Sequence, residues 1–103
     1  MPVYNKLVRD KILEIIKVNG QKSTHKILTA DEYAVELTKK LVEEVEEYKK
    51  DKNTDELADI MEVVYALARL HSCTAEELEK IRAEKAEKRG GFEKKIFLVE
   101  VTD

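Results

Sequence analysis

Along the chain, stretches in which apolar residues recur every three or four positions alternate with short polar breaks, and that rhythm predicts four helices. Val8, Ile12, Ile15 and Ile16 share one face of a first helix expected from about Asn5 to Val18, which stops at the left-handed cap signal Asn19-Gly20. Gln21 to Leu28 reads as a linker, and its end, His25-Lys26-Ile27-Leu28, suits a brief strand. A second helix opens on the capping box Thr29-Ala30-Asp31-Glu32 and continues to about Lys50. Asp51-Lys52-Asn53 is the turn, and Asn53 or Thr54 caps a third helix running to about His71. The apolar residues of that helix nearly encircle it: Leu57, Ile60, Met61, Val63, Val64, Leu67 and Leu70. A helix apolar on most sides is central or lies between subunits, so a homodimer or homotetramer is expected.

Thr74-Ala75-Glu76-Glu77 is another capping box, opening a fourth helix with Leu78, Ile81 and Arg82 inward and with Lys85, Lys88 and Arg89 toward its end at Gly90-Gly91. The β-branched and aromatic run Ile96-Phe97-Leu98-Val99-Glu100-Val101 reads as a strand. A lone strand needs a partner, either the 24–28 segment or another subunit. The expected fold is therefore all-α: a four-helix bundle with a short C-terminal β-strand, one domain over residues 1–103.

Composition narrows the class of function. With 43% hydrophobic and 40% charged residues, and only 3 Gly and 1 Pro, the chain has the makings of amphipathic helices with a core. Met1-Pro2-Val3-Tyr4 lacks a secretory apolar region and no run reaches the roughly 18 apolar residues of a membrane span, so a cytoplasmic protein without a membrane partner is expected. A net charge of −3 argues against nucleic acid polymers as partners. Cys73 has no second cysteine to bridge and no visible catalytic partner, and His25 and His71 form no ligand pair for zinc.

The acids carry the candidate chemistry. On a helix, Glu44 and Glu47 sit about 60° apart, as do Glu56 and Asp59. Glu44 falls within about 20° of Leu37 and 40° of Tyr48, so it borders the apolar stripe of its helix. Glu56 and Asp59 share a side with Val63, Leu67 and Leu70. Carboxylates facing one another where helices pack repel unless a hard cation sits among them, and an all-oxygen set suits Mg²⁺, with Mn²⁺ able to substitute. Acids are common here, 22 of 103 residues, and Glu43 and Glu46 can pair with Lys39, Lys40, Lys49 and Lys50 as a solvated face.

The run Lys40-Leu41-Val42-Glu43-Glu44-Val45-Glu46-Glu47, followed by Glu56-Leu57-Ala58-Asp59-Ile60, resembles the EExxE…ExxD signature of the MazG-like all-α nucleoside triphosphate pyrophosphohydrolases, relatives of phosphoribosyl-ATP pyrophosphohydrolase and the dimeric dUTPases. Tyr4-Asn5-Lys6-Leu7-Val8-Arg9-Asp10-Lys11-Ile12 and Arg89-Gly90-Gly91-Phe92 are similar to a compact single-domain branch of that superfamily, so the likeness spans nearly the whole chain. It implies an oligomeric helical fold, one or two Mg²⁺ ions, and cleavage between the α and β phosphates to a nucleoside monophosphate and pyrophosphate. Glu44, Glu47, Glu56 and Asp59 match the metal ligands, and Glu43 matches an acid that supports them from behind. The two motifs stand closer together than in longer members, which leaves little room for insertions that shape a base pocket.

Triphosphate hydrolysis asks mainly for positioning and charge neutralisation, which acids holding Mg²⁺ and nearby cations supply. Lys85, Lys88 and Arg89 are candidates to hold phosphate, or they complement the dipole of their helix end. Arg9 either reaches a cleft or pairs with a neighbouring acid. Two rival functions remain: an enzyme acting on another pyrophosphate such as phosphoribosyl-ATP or a sugar nucleotide, and a non-catalytic helical module that binds a protein through its third helix.

Overall fold

Capping chemistry fixes where the helices start. The computed structural model describes residues 3–103 and contains α1 (Ile12–Val18), α2 (Ala30–Asp51), α3 (Thr54–Leu70) and α4 (Ala75–Arg89). The Thr29 and Thr74 hydroxyls accept from the backbone N–H of Glu32 and Glu77, whose carboxylates accept from the Thr29 and Thr74 N–H in return, so both expected capping boxes form. Asn53, rather than Thr54, caps α3: its side-chain oxygen accepts from the Glu56 N–H at 3.1 Å. At the end of α1, Gly20 takes φ +77° while its N–H donates to the Lys17 carbonyl and the Gln21 N–H to the Ile16 carbonyl. That pair of bonds is a Schellman closure at the expected glycine.

α1 is shorter than its apolar pattern predicts, beginning at Ile12 rather than near Asn5. Asn5 has φ +46°, outside the extended geometry of an N-cap, and Lys11 at the actual cap position makes no side-chain cap bond. Residues 3–9 instead cross the α2–α3 pair, where Lys6 and Arg9 find acids 37 and 50 positions away. The contacts of this segment are thus long-range ones that local periodicity does not encode.

α2 and α3 are joined by two residues, Lys52 in the left-handed region (φ +50°) and Asn53, and they pack along one another. Leu37, Val63 and Ala68 are the buried hydrophobic residues of the core. α3 also touches α4, while among the described residues no other pair of helices meets. The four helices therefore do not close into a bundle within one chain.

None of the described residues lies in a strand, which corrects the expectation for 96–101 and for 25–28. A strand exists through its ladder, and neither segment has an edge beside it. Arg82, expected inward, is exposed and donates from Nε and Nη2 to both oxygens of Glu79 at 2.8 and 2.6 Å. No described helix is long and apolar enough to cross a membrane.

The overall shape is elongated, 63 × 32 × 24 Å with a radius of gyration of 18.2 Å. A compact chain of this length has a radius near 13 Å. Its solvent-accessible surface of 9746 Å² likewise exceeds the roughly 6,000 Å² typical of a folded monomer of this mass.

Candidate metal centre

The short turn between α2 and α3 sets the last turns of one helix beside the first turns of the other. α2 presents Glu44, Glu47 and Asp51, spaced three and four residues apart on one face, and α3 presents Glu56 and Asp59. Two groups of carboxylate oxygens result: Glu44, Glu56 and Asp59 have one oxygen each within 4.8 Å of the others, and so have Glu47, Asp51 and Glu56. Glu56 belongs to both groups. Of the four acids expected to be ligands, Glu44, Glu56 and Asp59 therefore come together, while Glu47 joins Asp51 and Glu56 in the second group.

Asp51 is the member that sequence reasoning missed, because it was read as part of the turn. Its signal was present: one helical turn beyond Glu47, it stays on the same face provided that α2 continues through it, and α2 does.

The electrostatics differ from acid to acid. Partial burial raises the Glu56 carboxyl above the usual range, and the charges of Asp51, Asp59, Glu47 and Glu44 push it further in the same direction. The N-terminal end of α3 favours negative charge there, yet four neighbouring acids oppose it. Glu43 behaves oppositely: burial raises it, but hydrogen bonds and charge from Lys6 and Lys40 outweigh burial and hold it below the usual range. Its Oε1 accepts from Lys6 Nζ at 3.2 Å and from Lys40 Nζ at 3.3 Å. Glu43 was expected to pair with lysines on a solvated face; it does pair with Lys40, but it is half-buried and has Lys6 as a second partner. Lys40 also reaches Glu44 at 3.4 Å, tying the two adjacent glutamates together.

Arg9 pairs with an acid of the cluster itself, its Nη2 donating to Asp59 Oδ1 at 2.6 Å. Both side chains are partly exposed, so the pair contributes about 0–1 kcal/mol to stability. Lys85, Lys88 and Arg89 lie on the last two turns of α4, which touches only α3, and one chain does not bring them into an ion pair with the cluster. Glu46 is on the solvated face, paired with Lys49 at 3.5 Å, as its position on the helical wheel requires.

The donor chemistry fits a hard divalent cation. Each acid of the cluster offers a carboxylate oxygen within 4.8 Å of the others in its group, and ligand oxygens around Mg²⁺ at bond lengths near 2.1 Å lie about 3–4 Å apart. The shared Glu56 gives the two groups a common edge. No protein-family model, curated protein or solved structure matches this chain.

Proposed function

We propose that the chain is a Mg²⁺-dependent nucleoside triphosphate pyrophosphohydrolase of the MazG-like kind, cleaving between the α and β phosphates. The grouping of Glu44, Glu56 and Asp59, to which Glu47 and Asp51 are joined through Glu56, carries this reading, because packing alone gives no reason to gather five acids around one turn. Water adds to the α phosphorus, pyrophosphate departs, and a nucleoside monophosphate remains.

A divalent cation bound there supplies charge neutralisation for phosphate oxygens and makes an attacking water more acidic. The remaining roles belong to the protein. Lys40 and Lys6 fix Glu43, and Lys40 holds Glu44 in place toward the cluster. Arg9 stands at the edge of the cluster with a guanidinium able to grip a phosphate in two-point fashion. An acid left free of the cation accepts the proton of the attacking water.

The working form is proposed to be a homo-oligomer. On α3, Leu57, Met61 and Leu70 remain more than 40% exposed, and the chain's surface exceeds the compact expectation by an area of the order of a large subunit interface. A second copy that covers this face is also the route by which Lys85 and Arg89 reach an acidic cluster, since their own chain does not deliver them.

Assaying a panel of nucleoside triphosphates, phosphoribosyl-ATP and sugar nucleotides with and without Mg²⁺ tests the proposal. Pyrophosphate and a monophosphate from a nucleoside triphosphate, only with the metal, is the expected result. Orthophosphate as the first product, or turnover indifferent to metal, overturns it.

A further inference from the structure

We infer that the C-terminal segment Ile96–Val101 is an exchange arm: in the oligomer it lies across the outer side of a second copy's α2–α3 hairpin, and that copy returns the same contact. The inference rests on the homo-oligomer proposed above and names the segment that builds it.

Two apolar surfaces of one chain are left without cover. On the helical wheel Val42 stands about 160° from Glu44, and Leu57 and Met61 each stand about 160° from Asp59, because each lies two positions away. The acids and these residues therefore occupy opposite sides of the hairpin. Val35 and Val42 on α2 are 55% and 57% exposed, and Leu57 and Met61 on α3 are both 43% exposed. The arm is the second surface. Ile96, Phe97, Leu98 and Val99 form an unbroken apolar run, each between 73% and 88% exposed, and Val101 is 80% exposed.

The arm has no seat on its own chain. α4 carries it away from the hairpin, since that helix touches α3 alone, and Gly90 ends α4 at φ +81° with its N–H on the Ala86 carbonyl. The 63 Å length of the molecule follows from this divergence.

Reach and area both favour a second copy. Extended, residues 96–101 span about 20 Å, and the Val35-to-Val45 stripe of α2 runs about 15 Å. The surface of the chain exceeds that of a compact monomer by about 3,700 Å², whereas a large interface removes only about 1,000–2,500 Å² from each partner. A contact confined to Leu57, Met61 and Leu70 leaves most of that excess in place. Reciprocal exchange covers arm and hairpin side together, and it closes with two-fold symmetry because each copy both gives and receives. A lipid surface fits less well: Lys94 and Lys95 on one flank of the run are offset by Glu100 and Asp103 on the other, and the net charge of −3 is repelled by anionic headgroups.

Disulfide trapping reads the contact directly. In a Cys73→Ser background, one chain carries Val42→Cys and a second, larger tagged chain carries Val99→Cys; the two are mixed and mildly oxidised. A cross-link between the two chains is expected. Glu62→Cys, on the side of α3 that faces the hollow with Asp59, should give none in place of Val42→Cys. Independently, Phe97→Asp combined with Val99→Asp should raise the dissociation constant of the oligomer about tenfold or more in analytical ultracentrifugation. Helix content should be unchanged, because the arm is fully solvated in its own chain.

An oligomer whose dissociation is unmoved by those two substitutions overturns the arm and leaves the homo-oligomer standing. So does a chain carrying both Val42→Cys and Val99→Cys that closes only on itself, which places the arm on its own hairpin. A monomeric unsubstituted protein removes the homo-oligomer and the arm with it. Cosedimentation with phosphatidylserine vesicles that is lost in Phe97→Asp with Val99→Asp, without any trapping between chains, assigns the arm to lipid and overturns the exchange.

Discussion

The two ends of the α2–α3 hairpin are built in opposite ways. At the turn, residues 44–59 crowd five acids together, and the surrounding cations Lys6, Arg9 and Lys40 come from within the same chain. At the other end, α4 leaves the hairpin after one contact region, and the tail beyond it presents Phe92, Phe97 and Val99 at more than 80% exposure. At the first end Arg9 and Lys40 answer Asp59 and Glu44 but leave Glu56 among like charges; the second has apolar surface in excess and lacks a cover. A single chain resolves neither; the proposed metal would answer the first and the proposed second subunit the second.

The largest effect is expected where the uncovered apolar face is broken. Met61→Asp places a carboxylate on the exposed side of α3, and burying it between subunits costs several kcal/mol, so dissociation should become easier by about a hundredfold or more. Light scattering across a dilution series checks this. An unsubstituted protein that is already monomeric, folded and fully active at micromolar concentration would remove the need for a second subunit.

At the acidic end, Glu56→Gln and Asp59→Asn should each lower turnover by about 10²–10³, but their metal-free stabilities should differ. Glu56 has only repulsive neighbours, so its neutralisation should raise the melting temperature. Asp59 has Arg9 at 2.6 Å, so Asp59→Asn gives up a partly exposed ion pair and should leave stability nearly unchanged or lower by ~1 kcal/mol. Melting curves in chelator separate the two, and a marked loss with Glu56→Gln would show that this acid has a partner.

Acidity sharpens the same contrast. Because the Glu56 pKa is raised in the folded state, its contribution is favourable below the ordinary carboxylate range and is lost as pH rises through its folded value. The stability advantage of Glu56→Gln should therefore grow from near zero at acid pH to a plateau above that value. The pKa of Glu43 is lowered, so its contribution is present above the ordinary range and is lost as pH falls through the folded value. Glu43→Gln should thus be destabilising at neutral pH and nearly silent in acid. Urea midpoints of the three proteins across pH 3–8 show whether the two slopes have opposite sign.

How far these features were legible in the sequence depends on the range of the forces involved. Caps act within four residues, so Thr29, Asn53 and Thr74 mark true helix starts, and helical spacing alone brings Glu44, Glu47, Glu56 and Asp59 to facing sides. The start of α1 was not legible, because Lys6 and Arg9 are held by acids far along the chain. Residues 96–101 have strand composition, but pairing depends on a partner edge that no local pattern supplies. Arg82 was assigned inward by spacing, yet with so little of α3 beside α4 it pairs on its own helix.

The smallest effects expected are those of the caps. Asn53→Ala frees the Glu56 N–H at the start of a helix that carries the core, and should cost ~1 kcal/mol. Thr74→Ala removes an equivalent bond from α4, which is barely attached, and global stability should change less while amide exchange in α4 accelerates. Equal losses in urea unfolding would mean that α4 is as firmly integrated as α3.

Calorimetric titration with Mg²⁺ or Mn²⁺ tests the central claim, that the acids around the α2–α3 turn form a divalent-cation site, most directly. The unsubstituted protein should bind the ion, Glu56→Gln should lose at least tenfold in affinity because it removes the carboxylate shared by both groups, and Glu46→Gln, on the solvated face, should bind as before. Equal binding by all three proteins, or none by any, would contradict it.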